Sequence, residues 1–390
     1  MPCFTLTDVA RDLWIDSFAV HAADLGQLDV PPWSVTKRTL RGGRRDGVDL
    51  IRVDNGRLSF SVVPTRGMGL WRGHYQGNRL GWRSPVLDGP VHPRLVNQEG
   101  WGGLGWLDGF DELMVRCGLG HNGPPYREGD RTYTLHGKIA NLPAHFVSVQ
   151  IDEAPPHAIT IEGQVDEAHL FGVQIRLTTR ITTFPGANRL IVRDELTPLG
   201  DSPGQAMLLY HWNFGPPYLD EGARLVAPIK TLVPQTATAA EGVGRFDVYD
   251  APQPGRAEQV YHTELHGEGP DGRTLAMLRN RAGDRAVVLR FSKEQLPCFT
   301  LWKRTGGLNE GYVTGLEPAT NYPNPSPFER SRGRFAPLSP GQSFVAETTL
   351  EILDTPSAVS SVESEVFALQ RLGPPTIHPT PVEPFVPGRG

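Results

Sequence analysis

Short runs of alternating apolar and polar residues recur along this chain, and they restrict its possible folds more than any other feature. The clearest case is the stretch 50–63, where Asn55-Gly56 separates two such runs. Asn-Gly between alternating runs predicts a β-hairpin with a type I′ turn. Alternation of period two places every second side chain on the same face of a strand. The chain is therefore predicted to form antiparallel sheets.

The same alternation predicts six further strands. They are expected at residues 145–151, 158–165, 173–183, 189–196, 285–291 and 343–352. Gly, Pro, Asn or Asp stands between most of them, as at turns. The 44 glycines and 36 prolines are spread over all 390 residues, which indicates many turns and few long helices. The predicted fold class is all-β, with antiparallel sheets and few short helices.

The best helical pattern lies near the end of the chain, at residues 360–372. Ser360 and Glu363 have the spacing of a capping box, which marks a helix N-terminus. Val362, Val366 and Leu369 would then share one apolar face. This pattern predicts a helix packed on the outside of the sheets.

Both ends of the chain are expected to lie outside the main domain. A short helical candidate over residues 6–18 precedes Pro31-Pro32, and residues 373–390 contain six prolines. Proline has no backbone N–H, so the end of the chain is predicted to be extended or disordered. The predicted organisation is an accessory segment 1–40, a β domain 41–355, a helix 356–372 and a disordered tail 373–390.

Charge and cysteine content exclude several classes of function. The 38 Lys and Arg residues are outnumbered by 43 Asp and Glu residues, giving a net charge of −5. Nucleic-acid binding normally requires a basic face, so it is not expected. The three cysteines are too few for a disulfide framework or a Cys-x-x-Cys zinc site. We expect neither a metal nor another cofactor.

No targeting or membrane signal stands out. The first residues include Asp8 and Asp12 and lack the basic and apolar parts of a signal peptide. No stretch approaches the roughly 18 apolar residues of a membrane-spanning helix. We therefore expect a cytoplasmic protein that does not contact the membrane and is a monomer or a homodimer.

Five segments carry polar and aromatic residues that a β framework alone does not need. They are residues 66–69, 101–123, 135–137, 210–215 and 315–323. A pyranose has apolar faces and a rim of hydroxyls, so sugar sites combine aromatic platforms with a few aimed donors and acceptors. These segments predict that the ligand is a small sugar.

Three of the motifs also carry a family resemblance. His136 stands in Leu-His-Gly, His211 in His-Trp-Asn-Phe and Glu317 in Gly-Leu-Glu-Pro, in that order. At these residues the chain resembles the aldose 1-epimerase (galactose mutarotase-like) superfamily, and more closely its bacterial DUF4432 branch. The resemblance covers residues 48–353 and implies a β-supersandwich with an open sugar-binding cleft.

The resemblance also implies an acid/base pair that opens and recloses a sugar ring. By that analogy Glu317 is the base and His211 the acid, so that the bond between C1 and the ring oxygen breaks and re-forms. His136 would bind the substrate by donating to a ring hydroxyl or to the ring oxygen. Each residue also has a structural interpretation. For His136 the alternative is a hydrogen-bonded histidine at the end of a strand, and for His211 it is a core histidine bonded to the backbone. For Glu317 the alternative is an ion pair with an arginine.

Further side chains are predicted to contact the sugar. They are Arg66, Trp101, Asp111, Arg116, Asn213 and Asn321. The arginine forks suit hydroxyl groups, and tryptophan suits the apolar face of a ring. For Arg66 the alternative is an ion pair that stabilises a turn, for Trp101 core packing, and for Asn321 a turn before Pro323.

Two departures from the superfamily pattern concern the substrate. Trp212-Asn213 stands where mutarotases commonly have Pro-Tyr, and the segment 116–119 has no counterpart in them. An aspartate usually found between the acid and the base also has no secure match. Asp247, Asp250 and Glu258 are the nearest choices, and that role stays unassigned.

The leading hypothesis is an isomerase of aldose 1-epimerase type acting on a small sugar. Two alternatives remain: a lyase or hydrolase-type enzyme acting on a keto sugar, and a sugar-binding protein without catalysis. Nucleotide-binding and serine-hydrolase motifs are not found between a strand and a helix. The metal-binding spacings His-x-His and His-Glu-x-x-His are also missing. A metal site would therefore need His121, His136 and His211 to come together in the folded chain.

Overall fold

The computed structural model describes residues 2–388, and most of its regular structure is β-strand. The strands up to residue 200 are β1 (Cys3–Asp8), β2 (Leu13–Trp14), β3 (Ser17–His21), β4 (Ser34–Thr39), β5 (Asp49–Asp54), β6 (Leu58–Val63), β7 (Gly69–Tyr75), β8 (Asn78–Leu80), β9 (Met114–Cys117), β10 (Tyr126–Glu128), β11 (Arg131–Tyr133), β12 (Phe146–Ile151), β13 (Ile159–Ala168), β14 (Gln174–Thr183) and β15 (Arg189–Pro198). The later strands are β16 (Gly204–Ala206), β17 (Leu209–Phe214), β18 (Arg224–Val226), β19 (Ile229–Pro234), β20 (Gln259–Leu265), β21 (Arg273–Arg279), β22 (Ala286–Ser292), β23 (Cys298–Thr305), β24 (Tyr312–Ala319), β25 (Ala336–Leu338), β26 (Phe344–Leu353) and β27 (Thr376–Ile377). The helices are α1 (Gly100–Gly103), α2 (Ala237–Glu241), α3 (Ser326–Ser331) and α4 (Pro356–Gln370).

Two large sheets contain nearly all of these strands. One has ten strands in the order β18-β21-β22-β26-β15-β14-β13-β12-β1-β2. The other has thirteen, in the order β27-β19-β20-β23-β24-β17-β9-β7-β6-β5-β4-β3, with β8 beside β7. Neighbouring strands run antiparallel except for β27, which runs parallel to β19. The predicted all-β class is confirmed, and the six predicted strands are present within three residues at each end.

The main core lies between the two sheets. Leu177, Val192 and Leu350 of the ten-stranded sheet are fully buried in one cluster with Ile51 and Leu70 of the thirteen-stranded sheet. The alternation read from the sequence explains this packing, because every second side chain of a strand faces the opposing sheet. The other face of the thirteen-stranded sheet is left for the candidate site.

The hairpin formed by β5 and β6 is confirmed, but its turn differs from the prediction. The Asn55 N–H donates to the Leu58 carbonyl, which makes Gly56 and Arg57 the central residues. Only Gly56 has a positive φ, of 95°, and this is the type II′ pattern rather than type I′. Asn55 is fully buried, and its amide donates to Thr183 Oγ1 in the opposing sheet. The asparagine therefore joins the sheets, while its Oδ1 accepts from the N–H groups of Arg57 and Leu58 in the turn.

A buried ion pair also joins the two sheets. Arg116 of β9 forms two hydrogen bonds with the carboxylate of Asp194 in β15 and a third with Thr179 Oγ1, at 2.7 Å. Its remaining N–H groups donate to the carbonyls of Gly67 and Met68. The prediction that Arg116 binds substrate is wrong, because its guanidinium is enclosed between the sheets with every direction occupied.

The C-terminal helix starts earlier than the sequence pattern indicated. Thr355 caps α4 by accepting from the N–H of Ala358, while Ser360 lies inside the helix, so the predicted capping box is wrong. The predicted apolar face is confirmed. Its buried residues are Val359, Val362, Val366 and Leu369. They pack on the outer face of the ten-stranded sheet, against Leu275 and Met277.

The first 40 residues are not accessory, and the helical candidate at 6–18 is wrong. Strands β1 and β2 extend the ten-stranded sheet, and β3 and β4 complete the thirteen-stranded one. Leu6 and Val20 are buried in the core between the sheets. Pairing with sheet edges therefore overrides the weak helical pattern. Met1 lies outside the described residues.

The C-terminal segment is extended, but the expectation of disorder is wrong for residues 373–388. Phe385 is buried against Tyr322, and its carbonyl accepts from His262 Nδ1 at 2.9 Å and from Asn324 Nδ2 at 2.8 Å. Residues 376–377 form the short strand β27 beside β19, and farther along side-chain donors from the domain satisfy the Phe385 carbonyl. Residues 389–390 of the predicted tail lie outside the described residues.

The ion pair between the sheets gives a stability prediction. Replacing Arg116 by Met leaves Asp194 buried without a counter-charge, so we expect a loss of about 3–5 kcal/mol in the free energy of unfolding. The matched control is Arg176→Met, which breaks a partly exposed pair with Asp166 and should cost about 1 kcal/mol or less. Urea unfolding measures both. Equal losses in the two variants would contradict this role of Arg116.

Candidate active site

His211 and Glu317 meet on the outer face of the thirteen-stranded sheet. They belong to β17 and β24, which are neighbours, and His211 Nε2 lies 3.2 Å from Glu317 Oε1. Their sequence neighbours Tyr210, Trp212 and Leu316 face the core between the sheets, so the alternation turns His211 and Glu317 the other way. Loops cover this outer face, and only 4% of His211 and 2% of Glu317 are exposed.

Burial opposes charge on both members of the pair. It lowers the pKa of His211 to about 3, with a smaller contribution from His136. It raises the pKa of Glu317 well above the usual range, and the nearby charge of Glu258 adds to the effect. The 3.2 Å contact also lacks the angles of a hydrogen bond. A neutral imidazole beside a carboxylic acid is therefore the favoured state of the pair.

Three aromatic rings surround the imidazole. The ring centroids of Phe110, Trp302 and Trp106 lie 5.2, 5.3 and 6.4 Å from that of His211. Trp101, the predicted platform, is 82% exposed and makes none of these contacts. The predicted aromatic contact is thus present beside His211, but Phe110, Trp302 and Trp106 provide it.

His136 lies beside the pair, held by its backbone and by one hydrogen bond. Its φ is 59°, its ring centroid lies 5.8 Å from that of His211, and Nδ1 donates to the Asn122 carbonyl at 2.9 Å. Burial lowers the pKa of His136 to about 4, so the ring is neutral and Nε2 is an acceptor. The sequence predicted a donor; the geometry instead offers an acceptor toward a hydroxyl group.

Asn321 does not reach the pair. Its amide and that of Asn122 form two reciprocal hydrogen bonds, of 2.7 and 2.9 Å. Since the Asn122 carbonyl also fixes His136, Asn321 supports the site through a neighbour. The predicted contact of Asn321 with substrate is not what the structure shows.

Asn213 and Gly315 complete the floor of the site. Asn213 lies two residues after His211 on the same face, and its amide donates to the carbonyls of Glu112 and His211. Gly315 is its partner on β24. A Cβ at Gly315 would lie 2.4 Å from Glu317 Oε1 and 2.9 Å from His211 Cε1. Only glycine leaves room for both side chains in their present positions.

Several buried polar atoms at this face have no hydrogen-bond partner among the described residues. They are His211 Nδ1, Glu317 Oε1, Asn213 Oδ1, Trp106 Nε1 and Thr300 Oγ1. Buried polar atoms are normally paired, and each unpaired one costs free energy. A cluster of donors and acceptors beside aromatic rings therefore fits a polyhydroxylated ligand.

Arg66 is a structural residue, contrary to the prediction that it binds substrate. Its Nε donates to Glu112 Oε1 at 2.7 Å, and its other N–H groups donate to Asn141 and to the carbonyls of Val91 and Gly109. It is 1% exposed. Arg66 thus fastens the segment that carries Phe110, and these partners enclose its buried guanidinium.

Asp111 is not brought to the pair either. Its Oδ2 accepts from Trp71 Nε1 at 2.8 Å and lies 3.6 Å from Arg72. Burial, together with the charge of Glu112, raises the pKa of Asp111 to about 7. The expectation of a sugar contact came from the position of Asp111 next to the aromatic segment in the sequence. In the fold its side chain contacts Trp71 and Arg72 instead.

Of the three acids considered for the unassigned role, only Glu258 is brought to the pair. It accepts from Trp302 Nε1 at 2.8 Å and contributes to the raised pKa of Glu317. Asp247 and Asp250 form ion pairs with arginines elsewhere. Nothing in the sequence separates these three acids, because their distances from Glu317 depend on the path of a long loop.

Sequence reasoning missed Phe110, Trp302, Thr300 and Gly315. Thr300 and Trp302 alternate with Leu301 in β23, so a period-two reading of this segment would have placed both on one face. No comparable signal existed for Gly315. Its importance arises only when β17 and β24 pair.

The site contains no arrangement that suggests a metal. Within residues 2–388 no three His, Cys, Asp or Glu side chains are grouped so that they could hold a metal ion. The rings of His136 and His211 lie close together, but His121 is hydrogen-bonded to Ser326 Oγ and to the Pro124 carbonyl.

Among the helices within residues 2–388, none is long and apolar enough to cross a membrane.

Comparison with known proteins agrees with this architecture. The family model "Domain of unknown function (DUF4432)" matches residues 45–352. The chain belongs to the DUF4432 family. A candidate aldose 1-epimerase from Klebsiella pneumoniae subsp. pneumoniae, known as a crystal structure, is similar to this DUF4432 chain. The two are 34% identical over 98% of this chain and 99% of that chain, with a TM-score of 0.94.

A more distant structure shows the same fold. The galactose mutarotase-like protein from Clostridium acetobutylicum is 16% identical over 82% of this DUF4432 chain and 98% of that chain, with a TM-score of 0.57. No protein of curated function matches the chain. The predicted family and the galactose mutarotase-like β-sandwich are thereby confirmed.

The raised pKa of Asp111 predicts how stability changes with pH. Because its folded pKa of about 7 lies above the ordinary value, the contribution of Asp111 to stability is lost as pH rises through about 7. Asp111→Asn cannot ionise, so its stability relative to wild type should increase from about pH 6 to about pH 8. Urea unfolding at both pH values measures the difference.

The control for this prediction is Glu310→Gln. Hydrogen bonds from the N–H groups of Gly255 and Gly307 lower the pKa of Glu310, so it is ionised throughout this range and its variant should show no such trend. A constant difference between Asp111→Asn and wild type across the two pH values would refute the interpretation of Asp111.

Proposed function

We propose that this DUF4432 protein is a sugar isomerase of aldose 1-epimerase type, which interconverts the two anomers of a small free sugar. The observation that carries the proposal is the buried contact between His211 and Glu317 among unpartnered polar atoms and aromatic rings. The rings suit the apolar faces of a pyranose, and the unpartnered atoms suit its hydroxyl groups. The similarity to the Klebsiella protein supports the same class of reaction.

Ring opening needs two proton transfers at neighbouring atoms of the sugar. One member of the pair takes the proton of the anomeric hydroxyl, and its electron pair forms the C1 carbonyl. The other member gives a proton to the ring oxygen as the bond from C1 breaks. Rotation about the C1–C2 bond and the reverse transfers close the ring on the other face. The pair ends with the protons it had at the start, so no cofactor is consumed.

The surrounding residues have matching roles in this proposal. His136 offers Nε2 as an acceptor for a sugar hydroxyl, because its Nδ1 proton is engaged by Asn122. Asn213 places its Oδ1 beside the His211 ring. Trp302 supplies a ring, and Glu258 holds its indole N–H. These contacts orient the sugar so that its anomeric carbon faces the pair.

Loss of either member of the pair should strongly slow the catalysed exchange of anomers. Glu317→Gln and His211→Asn each remove a proton-transfer group without changing its size much, so the exchange rate should fall about 10² to 10⁴-fold. NMR exchange spectroscopy measures this rate on free hexoses, pentoses and 6-deoxy sugars. Sugar binding, measured by calorimetry, should persist in Glu317→Gln.

The same panel separates the alternatives. If wild type and Glu317→Gln bind a sugar equally and neither accelerates exchange, the chain is a sugar-binding protein and the isomerase proposal is wrong. A change of mass in a keto-sugar glycoside, seen by mass spectrometry, would instead identify a lyase or hydrolase-type enzyme. Isomerisation conserves both mass and linkage.

Gly315 gives an independent test of the geometry. In Gly315→Ala the new methyl group must displace the side chains of Glu317 and His211, so we expect about a 10²-fold slower exchange. Because both displaced groups are buried, the extra methyl group should also lower the free energy of unfolding by about 1–3 kcal/mol, so exchange is measured at a temperature where the variant is folded. Gly204→Ala, on a strand with open space around the glycine, is the control. Unchanged exchange in Gly315→Ala would contradict the proposed arrangement.

A further inference from the structure

The loop of residues 97–109 carries two tryptophans with opposite exposures. Trp106 is 1% exposed, and its ring centroid lies 4.7 Å from that of His136 and 6.4 Å from that of His211. Trp101 is 82% exposed. The buried tryptophan is part of the aromatic surroundings of the pair, and the exposed one lies on the solvent side of the same loop.

Two hydrogen bonds fix this loop on either side of His136. The Leu135 N–H donates to the Gly103 carbonyl at 2.9 Å, and Gln98 Nε2 donates to the Gly137 carbonyl at 3.0 Å. The exposed tryptophan stands between these two attachment points in the sequence. Two residues of chain span at most about 7 Å, so its Cα atom lies within about 7 Å of the Gly103 Cα atom. The exposed indole is therefore held beside the segment that carries His136.

The backbone of Trp101 is in the left-handed region, which is unfavourable for a bulky residue. Its φ and ψ are 56° and 36°, and the next two residues, Gly102 and Gly103, also have positive φ values, of 68° and 96°. Glycine adopts this region readily, whereas a residue with a Cβ is disfavoured there. Because the indole is mostly exposed, it recovers little of this cost by packing. Strained residues of this kind cluster at sites that bind ligands, which points to a ligand for Trp101.

The size and surroundings of the indole fit one further sugar ring. A tryptophan side chain buries about 150–250 Å² in a contact, far below the roughly 1,200 Å² of a stable protein interface. Sugar sites combine an aromatic face with a few polar groups for the hydroxyl rim. Asn97 and Glu99 of the same loop are exposed and supply an amide and a carboxylate next to Trp101 in the sequence.

We propose that Trp101 forms a second sugar subsite, so that the substrate is a reducing disaccharide whose non-reducing unit stacks on the indole. This inference rests on the proposed function, because the anomeric carbon that reacts belongs to the reducing unit held at His211 and Glu317. Trp101 takes no part in the proton transfers. It determines which sugars bind well, since a monosaccharide at the pair leaves the indole uncovered.

Calorimetry with matched sugars tests the subsite without any measurement of catalysis. Each disaccharide is compared with its own reducing unit: maltose and cellobiose with glucose, galactobiose with galactose, xylobiose with xylose and mannobiose with mannose. We expect at least one disaccharide to bind the wild-type protein more tightly than its reducing unit. In Trp101→Ala this preference, the ratio of the two affinities, should fall about tenfold.

Two further variants separate stacking from an effect on folding. Trp101→Ala retains a Cβ and its backbone cost, whereas Trp101→Gly removes both. Trp101→Gly should therefore unfold at a higher urea concentration than Trp101→Ala, yet lose the same preference for the disaccharide. Trp14→Ala is the matched control, because Trp14 is another exposed indole, located in β2 with Lys37 Nζ 4.2 Å from its ring centroid. It should leave the preference unchanged.

Fluorescence quenching detects the contact itself. Acrylamide reaches an exposed indole, and the part of the quenching that is missing in Trp101→Ala belongs to Trp101. The preferred disaccharide should protect this part of the emission in the wild-type protein, and its reducing unit alone should not.

Each outcome bears on a stated claim. An unchanged preference in Trp101→Ala, or no binding of any disaccharide, would overturn the subsite. Wild-type dimers that dissociate in Trp101→Ala, seen by analytical ultracentrifugation without a change in sugar preference, would also overturn it, because the indole would then contact a second copy. If Trp101→Ala loses the preference but the wild-type protein accelerates anomer exchange of no sugar, the subsite stands and the isomerase proposal alone is wrong.

Discussion

The ion pair between Arg116 and Asp194 is the interaction on which the site depends. Arg116 is the register partner of Tyr210, the residue before His211, so the pair anchors β9 directly beside the strand that carries the site. Because successive side chains of a strand face opposite ways, holding Arg116 and Tyr210 inward obliges His211 to face outward. The stability of the sandwich and the position of its reactive histidine thus have one origin.

The residues that the sequence assigned wrongly to substrate binding still serve the site. Arg66 ties down Glu112, whose backbone carbonyl accepts from Asn213, and Asn321 holds the loop whose carbonyl orients His136. Polar groups near a site are often fully used in this way, because loops that cover a sheet must have their own buried backbone and side chains satisfied. Such residues act by fixing positions and do not touch the ligand.

The hairpin, the six strands and the apolar face of the last helix could be predicted because they depend on local periodicity. The resemblance identified His211 and Glu317, which the fold brings together. Gly315 could not be predicted, since its role comes from the pairing of β17 and β24, which are distant in sequence. The order of residues 373–388 also escaped prediction, because it depends on donors such as His262 and Asn324 that lie elsewhere in the chain.

The central claim is that the outer face around His211 and Glu317 receives the anomeric end of a sugar. A crystal structure of Glu317→Gln with a sugar that the protein binds tests it most directly. We predict that the sugar ring lies against Trp302, with its anomeric hydroxyl and ring oxygen within hydrogen-bond distance of His211 and residue 317. A sugar bound elsewhere, with His211 and residue 317 uncontacted, would contradict the account.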